Sequence, residues 1–91
     1  MTATLHLPTV LSRLADGQRA IPVEPGTVRE VIAQVAGQFP NLAPRIRDEH
    51  GEPHPFLNVY LNDEDIRFAG GLDATVKDGD EITLVPAIAG G

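Results

Sequence analysis

Apolar and polar residues alternate at the start of the chain. Ala3, Leu5 and Leu7 fall on one side and Thr4 and His6 on the other, until Pro8 removes a backbone donor and ends the ladder. This period of two predicts a first strand over residues 2–7. A second strand is predicted over 18–23: it follows the turn signal Asp16-Gly17 and carries Ala20, Ile21 and Val23. Pro22 assigns it to a sheet edge, because a central strand would need the missing N–H. The two strands form a hairpin with a long connection.

The period then changes to that of a helix. Val28, Val31, Ile32, Val35 and Phe39 lie at i, i+3, i+4, i+7 and i+11, a single apolar stripe. Thr27 can cap the free N–H groups while Glu30 reaches back to it, and Pro40 prevents continuation. Such a helix must lie on an apolar surface. Residues 56–61 supply one, with Leu57, Val59 and Leu61 on one face and Asn58 and Tyr60 on the other. Asn62-Asp63-Glu64-Asp65 turns the chain into Ile66-Arg67-Phe68, expected as a short edge strand. Asp78-Gly79-Asp80 is a further turn and opens a last strand, with Ile82 and Leu84 directed inward.

Two strands, a helix and two or three more strands define an α+β order in which one mixed sheet of four to five strands covers one main helix. The first strand must pair with the last. This order resembles the ubiquitin-like β-grasp, with a domain over 1–86 and a flexible tail over 87–91.

Composition narrows the function classes. The chain has no Cys, so it has no thiolate metal ligand, no disulfide and no thiol nucleophile. A net charge of −6 is the wrong sign for neutralising phosphates, and the basic set of six Arg and Lys77 forms no polybasic run, so nucleic acid and anionic membranes are poor partners. Apolar runs are too short for a membrane span, and residues 1–6 lack the pattern of a signal peptide. A cytoplasmic protein, monomeric when free, is the expectation.

After the last strand the sequence finishes Pro86-Ala87-Ile88-Ala89-Gly90-Gly91, thin and uncharged in its side chains. Together with Leu7-Pro8-Thr9, the Asn58 to Phe68 stretch and Gly70-Gly71-Leu72, this ending resembles the ubiquitin-like sulfur carriers of the MoaD/ThiS family, nearest to its cysteine-biosynthesis carriers. The resemblance implies a protein cosubstrate rather than an enzyme. In that family the terminal glycine, here Gly91, is adenylated by an E1-like enzyme of the MoeB/ThiF type and converted to a thiocarboxylate. ATP and a sulfur source are used by that enzyme, and the carrier binds no cofactor.

The chemistry accounts for the residue types. A carboxylate is a poor electrophile until its oxygen becomes part of a leaving group, and two residues without Cβ can enter a channel too narrow for side chains. Here no removal of following residues is expected before activation. The implied acceptor is a pyridoxal-phosphate-dependent cysteine synthase or a natural-product synthase. A ubiquitin-like modifier joined to lysines through Gly91 is the alternative, and a structural subunit whose tail inserts without turnover is a third reading.

The partner-binding candidates are Ile88, Ala89 and Gly90 on the tail, with Tyr60 and Val85, which should share the sheet face away from the helix together with Thr83. Three other features compete. The loop Asp48-Glu49-His50-Gly51-Glu52-Pro53-His54 has metal-binding side chains, but nothing in it fixes a geometry, so a spacer and no metal site is expected. His6 is given no role, because nothing in the sequence places a carboxylate or nucleophile beside it. Asp63, Glu64, Asp65, Asp73, Asp78, Asp80 and Glu81 are expected on solvated turns, with steering of a basic partner as the other reading.

Overall fold

The computed structural model describes residues 2–47 and 57–86. In chain order these form β1 (Ala3–His6), α1 (Thr9–Ser12) with a 3-10 turn over Arg13–Ala15, β2 (Ala20–Val23), β3 (Gly26–Thr27), α2 (Val28–Gln38) and α3 (Ala43–Ile46). Then come β4 (Leu57–Leu61), β5 (Glu64–Asp65), 3-10 turns over Ile66–Phe68 and Gly71–Asp73, β6 (Thr75–Val76) and β7 (Glu81–Pro86). Five strands make one mixed sheet in the order β2-β1-β7-β4-β5.

The alternation of β1 dictates its place. Ala3, Leu5 and Leu7 are buried, so β1 needs strands on both sides: β2 pairs with it antiparallel and β7 parallel, Leu5 lying opposite Ile21 and Ile82. Pro22 lies on β2 at the sheet edge, where its missing donor costs no ladder bond. The expected parallel pairing of first and last strands is therefore present, and the fold is the β-grasp.

Helix α2 begins as the capping signal requires. The Thr27 hydroxyl accepts the Glu30 N–H at 3.2 Å, and the Glu30 carboxylate accepts the Thr27 N–H at 2.8 Å. Val28, Val31, Ile32 and Val35 are buried, joining Leu5, Val59, Ile82 and Leu84 in one apolar core, with Leu57, Leu61 and Phe39 half-buried against it. At the edge of the layer the Gln34 side-chain amide donates to the Glu24 carbonyl and accepts the Glu24 N–H, both at 2.9 Å, so the chain leaving β2 keeps its backbone groups paired.

Ile66–Phe68 is a 3-10 turn rather than the expected edge strand, and the edge strand is the pair before it, Glu64–Asp65. Asn62 and Asp63 both adopt left-handed φ, 53° and 80°, which makes a two-residue hairpin turn. Pairing therefore resumes at once, with Leu61 opposite Glu64 and Tyr60 opposite Asp65. The Asp65 carboxylate then accepts the Arg67 N–H at 2.9 Å, which turns the chain out of the ladder and buries Ile66.

The long first connection also holds structure that alternation did not show. In it α1 buries Leu11, and the Ser12 hydroxyl donates to the Thr9 carbonyl at 2.8 Å. A small second sheet pairs β3 with β6, Thr27 opposite Thr75, and so ties the start of α2 to the segment before β7.

Candidate functional site

The sheet face turned away from α2 carries a continuous row of side chains. Strand register places Ala20, His6, Thr83, Tyr60 and Asp65 side by side, one from each strand across all five. Tyr60 and Thr83, singled out from the sequence, are direct cross-strand neighbours, and Val85 lies one step along β7 opposite Asn58. Tyr60 and Thr83 are half-buried and Val85 is 37% exposed. The face is therefore reachable but not uniformly apolar.

Two side-chain pairs frame it. His6 Nε2 lies 2.7 Å from Glu81 Oε1, a carboxylate neighbour that no local pattern predicts. Thr4 is the residue opposite Glu81, so the contact is a diagonal one that exists only through the parallel pairing of β1 with β7. At the other margin, Arg67 donates through Nε to both oxygens of Asp65 and through Nη2 to Oδ2, the shortest contact being the last at 2.7 Å. The Arg67 side chain holds the Asp65 carboxyl below its ordinary value, and Asp65 in turn raises the Arg67 guanidinium.

Arg67 also sits 5.9 Å from the ring centre of Phe68, which is 80% exposed. Phe68 is a candidate contact that the strand reading concealed, because in a strand it would share the face of the buried Ile66. Its membership of the Asn58 to Phe68 stretch was the available signal.

The acidic residues of 63–81 are largely engaged in building turns. The Asp80 carboxylate accepts the Lys77 N–H at 2.8 Å and an Asn62 side-chain N–H at 3.0 Å, which lowers its pKa. Asn62 Oδ1 in turn accepts the Glu81 N–H at 2.9 Å, locking the β4–β5 turn to the start of β7. Asp78 accepts the Thr2 N–H at 2.7 Å, and Asp73 lies 3.9 Å from Arg29. Among the described residues no group of three or more His, Asp or Glu converges on a metal site. The His50/His54 loop lies outside the described residues, as do Ile88, Ala89, Gly90 and Gly91.

Strand β7 nevertheless shows where the described chain ends. It runs to Pro86, opposite Leu57, beside the open face and at the same end of the sheet as the start of α1. Residues 5–91 match the model of the ThiS family. The chain belongs to the ThiS family.

The family's members are small protein substrates of other enzymes, and this chain is one of them, not an enzyme. It is 38% identical to the sulfur carrier protein CysO of Mycobacterium tuberculosis over 93 residues, covering all of both chains. The CysO in the Amycolatopsis orientalis BexX/CysO complex superposes with a TM-score of 0.86 at 43% identity, over 98% of this chain and 99% of that one. Small archaeal modifier protein 3 of Haloferax volcanii is 31% identical over 65 residues, 71% of this chain and 70% of its own. No helix among the described residues is long and apolar enough to cross a membrane.

Proposed function

We propose that the chain is a sulfur carrier whose Gly91 carboxylate is the reacting group. The observation that carries this reading is that the family match does not stop at the β-grasp body but continues through Gly91. An E1-like enzyme of the MoeB/ThiF type transfers AMP from ATP to the carboxylate oxygen and releases pyrophosphate. A sulfide equivalent then attacks the acyl carbon and AMP leaves with its bonding pair, so the product is a thiocarboxylate. The thiocarboxylate sulfur then attacks an electrophile held by an acceptor enzyme, and water cleaves the acyl linkage to the carrier, which regenerates the carboxylate.

The body supplies recognition rather than chemistry. Tyr60 and Val85 on the open face dock the activating enzyme, and residues 87–91 are presented beyond it. Five extended residues after Pro86 span roughly 17 Å, enough to reach a buried site. Gly90 and Gly91 fit the narrowest part of such a channel because they lack Cβ. Identity to CysO supports a pyridoxal-phosphate-dependent cysteine synthase as acceptor, and the BexX/CysO complex supports a carrier that seats on a partner protein.

Incubation with an E1-like enzyme, ATP and a sulfur source should give an intact mass in which one oxygen is exchanged for sulfur. Gly90→Leu should block the exchange while leaving the melting temperature unchanged. An intact mass that never changes under these conditions would remove this reading.

The likeness to a small archaeal modifier protein supports a second reading, conjugation to lysines through Gly91. Gly-Gly remnants on target lysines after proteolysis would favour it.

A further inference from the structure

Positive charge is scarce in this chain and its distribution is uneven. Lys77 and Arg67 lie beside carboxylates that take part in their own turns, Asp80 and Asp65, and Arg29 lies near Asp73. Arg13 and Arg45 have no carboxylate contact among the described residues, although the protein carries thirteen acidic side chains. These two guanidinium groups flank one cleft. Its volume is about 330 Å³, and Val10, Leu11 and Leu14 complete its lining. Val10 is 56% exposed there, a large apolar side chain open to solvent over more than half its surface. Arg19 reaches the same end, donating to the Thr9 hydroxyl at 3.2 Å.

The position of the cleft gives the charge a use. Because β1 and β7 run parallel, α1 starts at the end of the sheet where β7 finishes at Pro86. The cleft thus stands at the end of the sheet from which residues 87–91 follow Pro86 in the chain.

We propose that the cleft between α1 and α3 is a second docking point, which receives an acidic segment carrying an apolar anchor from an enzyme that takes the tail. The apolar side chain of that segment fills the space between Val10 and Leu14, and its carboxylates meet Arg13 and Arg45. Pairing across an interface of an otherwise acidic protein selects against acidic surfaces everywhere except at this end, so it sets orientation and encounter rate as well as affinity. The assignment of the partner to a tail-handling enzyme rests on the sulfur-carrier reading; the ligand chemistry of the cleft does not.

The two parts are separated by two measurements on the full chain. In the first, the isotope-labelled protein is titrated with a blocked amphipathic peptide of Glu and Leu, the leucines spaced at i and i+4. Amide shifts should concentrate at Val10, Leu14 and Arg45. Binding should weaken about fivefold or more in Arg13→Glu/Arg45→Glu, and likewise when salt rises from about 0.05 to 0.5 M. The milder Arg13→Gln/Arg45→Gln, which introduces no new charge, should lie between. Equal shifts around Arg67 and Lys77, or unchanged binding by both variants, overturn the proposal. So does a concentration-dependent dimer in sedimentation that the variants abolish, since the occupant would then be a second copy.

In the second, the charge-reversed variant should raise KM for the E1-like or the acceptor enzyme about fivefold with kcat unchanged. Unchanged KM with both enzymes overturns the enzyme assignment. A wild-type chain that is never thiocarboxylated overturns the sulfur-carrier reading, while leaving the peptide result to stand or fall alone.

Discussion

The two faces of the sheet are built from the same strands and differ in almost everything else. Toward α2 stand Leu5, Val59, Ile82 and Leu84, all buried and all aliphatic. Away from it stand His6, Tyr60, Thr83 and Asp65, half-buried, with every one able to form a hydrogen bond. The covered face is complete within the chain, so its residues answer to packing. The open face has its ionisable members, His6 and Asp65, paired with Glu81 and Arg67, and beside them lie Tyr60 and Val85, the residues we propose to dock the activating enzyme. On that proposal one strand serves folding and recognition on alternate residues.

Adjacent positions on β7 give the sharpest test of that division. Ile82→Ala removes a fully buried side chain from the covered face and should cost about 2–5 kcal/mol, read from urea unfolding. Thr83→Ala, one residue on and on the other face, should cost less than about 1 kcal/mol. Comparable losses at the two positions would mean that the faces are not separate in function. Tyr60→Ala should likewise leave stability nearly intact while raising KM for the activating enzyme.

How much of this was legible depended on the scale of the signal. The covered face was readable because alternation in β1, β4 and β7 and the stripe of α2 are repeated patterns, each element confirming the others. Pro22 marked its edge strand through a single missing donor. Short elements escaped: α1 and α3 are four residues each, too short for a helical period, and are held by tertiary burial of Leu11 and Ile46. The reading of Ile66–Phe68 failed because an aspartate side chain outcompeted the ladder for the Arg67 N–H. The His6–Glu81 pair, separated by 75 residues in sequence, needed the register of a parallel pair. Tyr60, Thr83 and Val85 were placed on one face by parity alone, which register then made into neighbours.

The covered face also depends on how its helix starts. Thr27→Ala removes one half of the reciprocal cap and should lower stability by about 1 kcal/mol. Gly26→Ala should cost less: an added Cβ would stand 2.6 Å from Glu30 Oε1, which must swing away and give up its bond to the Thr27 N–H. Both losses should appear equally in thermal melting and in amide exchange along α2. A variant that melts early with unchanged α2 exchange would show that the cap does not support the layer.

The smallest effect is expected from acid, and it should fall on the open face and its turns first. Arg67 lowers the pKa of Asp65, and the Lys77 N–H with the Asn62 amide lowers that of Asp80. A lowered folded pKa means that the ionised carboxylate is favoured in the native state. The associated stability is fully present above the ordinary carboxylate value of about 4 and is lost as pH falls through the lower folded values. Between pH 8 and 5 these two groups therefore contribute no slope. Below about pH 4 the melting temperature should decline, and exchange of the Arg67 and Lys77 amides should accelerate before that of the α2 amides. Asp80→Asn should melt lower than wild type at neutral pH but lose less on acidification, so the two curves converge in acid. A decline already evident between pH 8 and 5, or a variant whose curve stays parallel to wild type, would show that these carboxylates do not set the acid response.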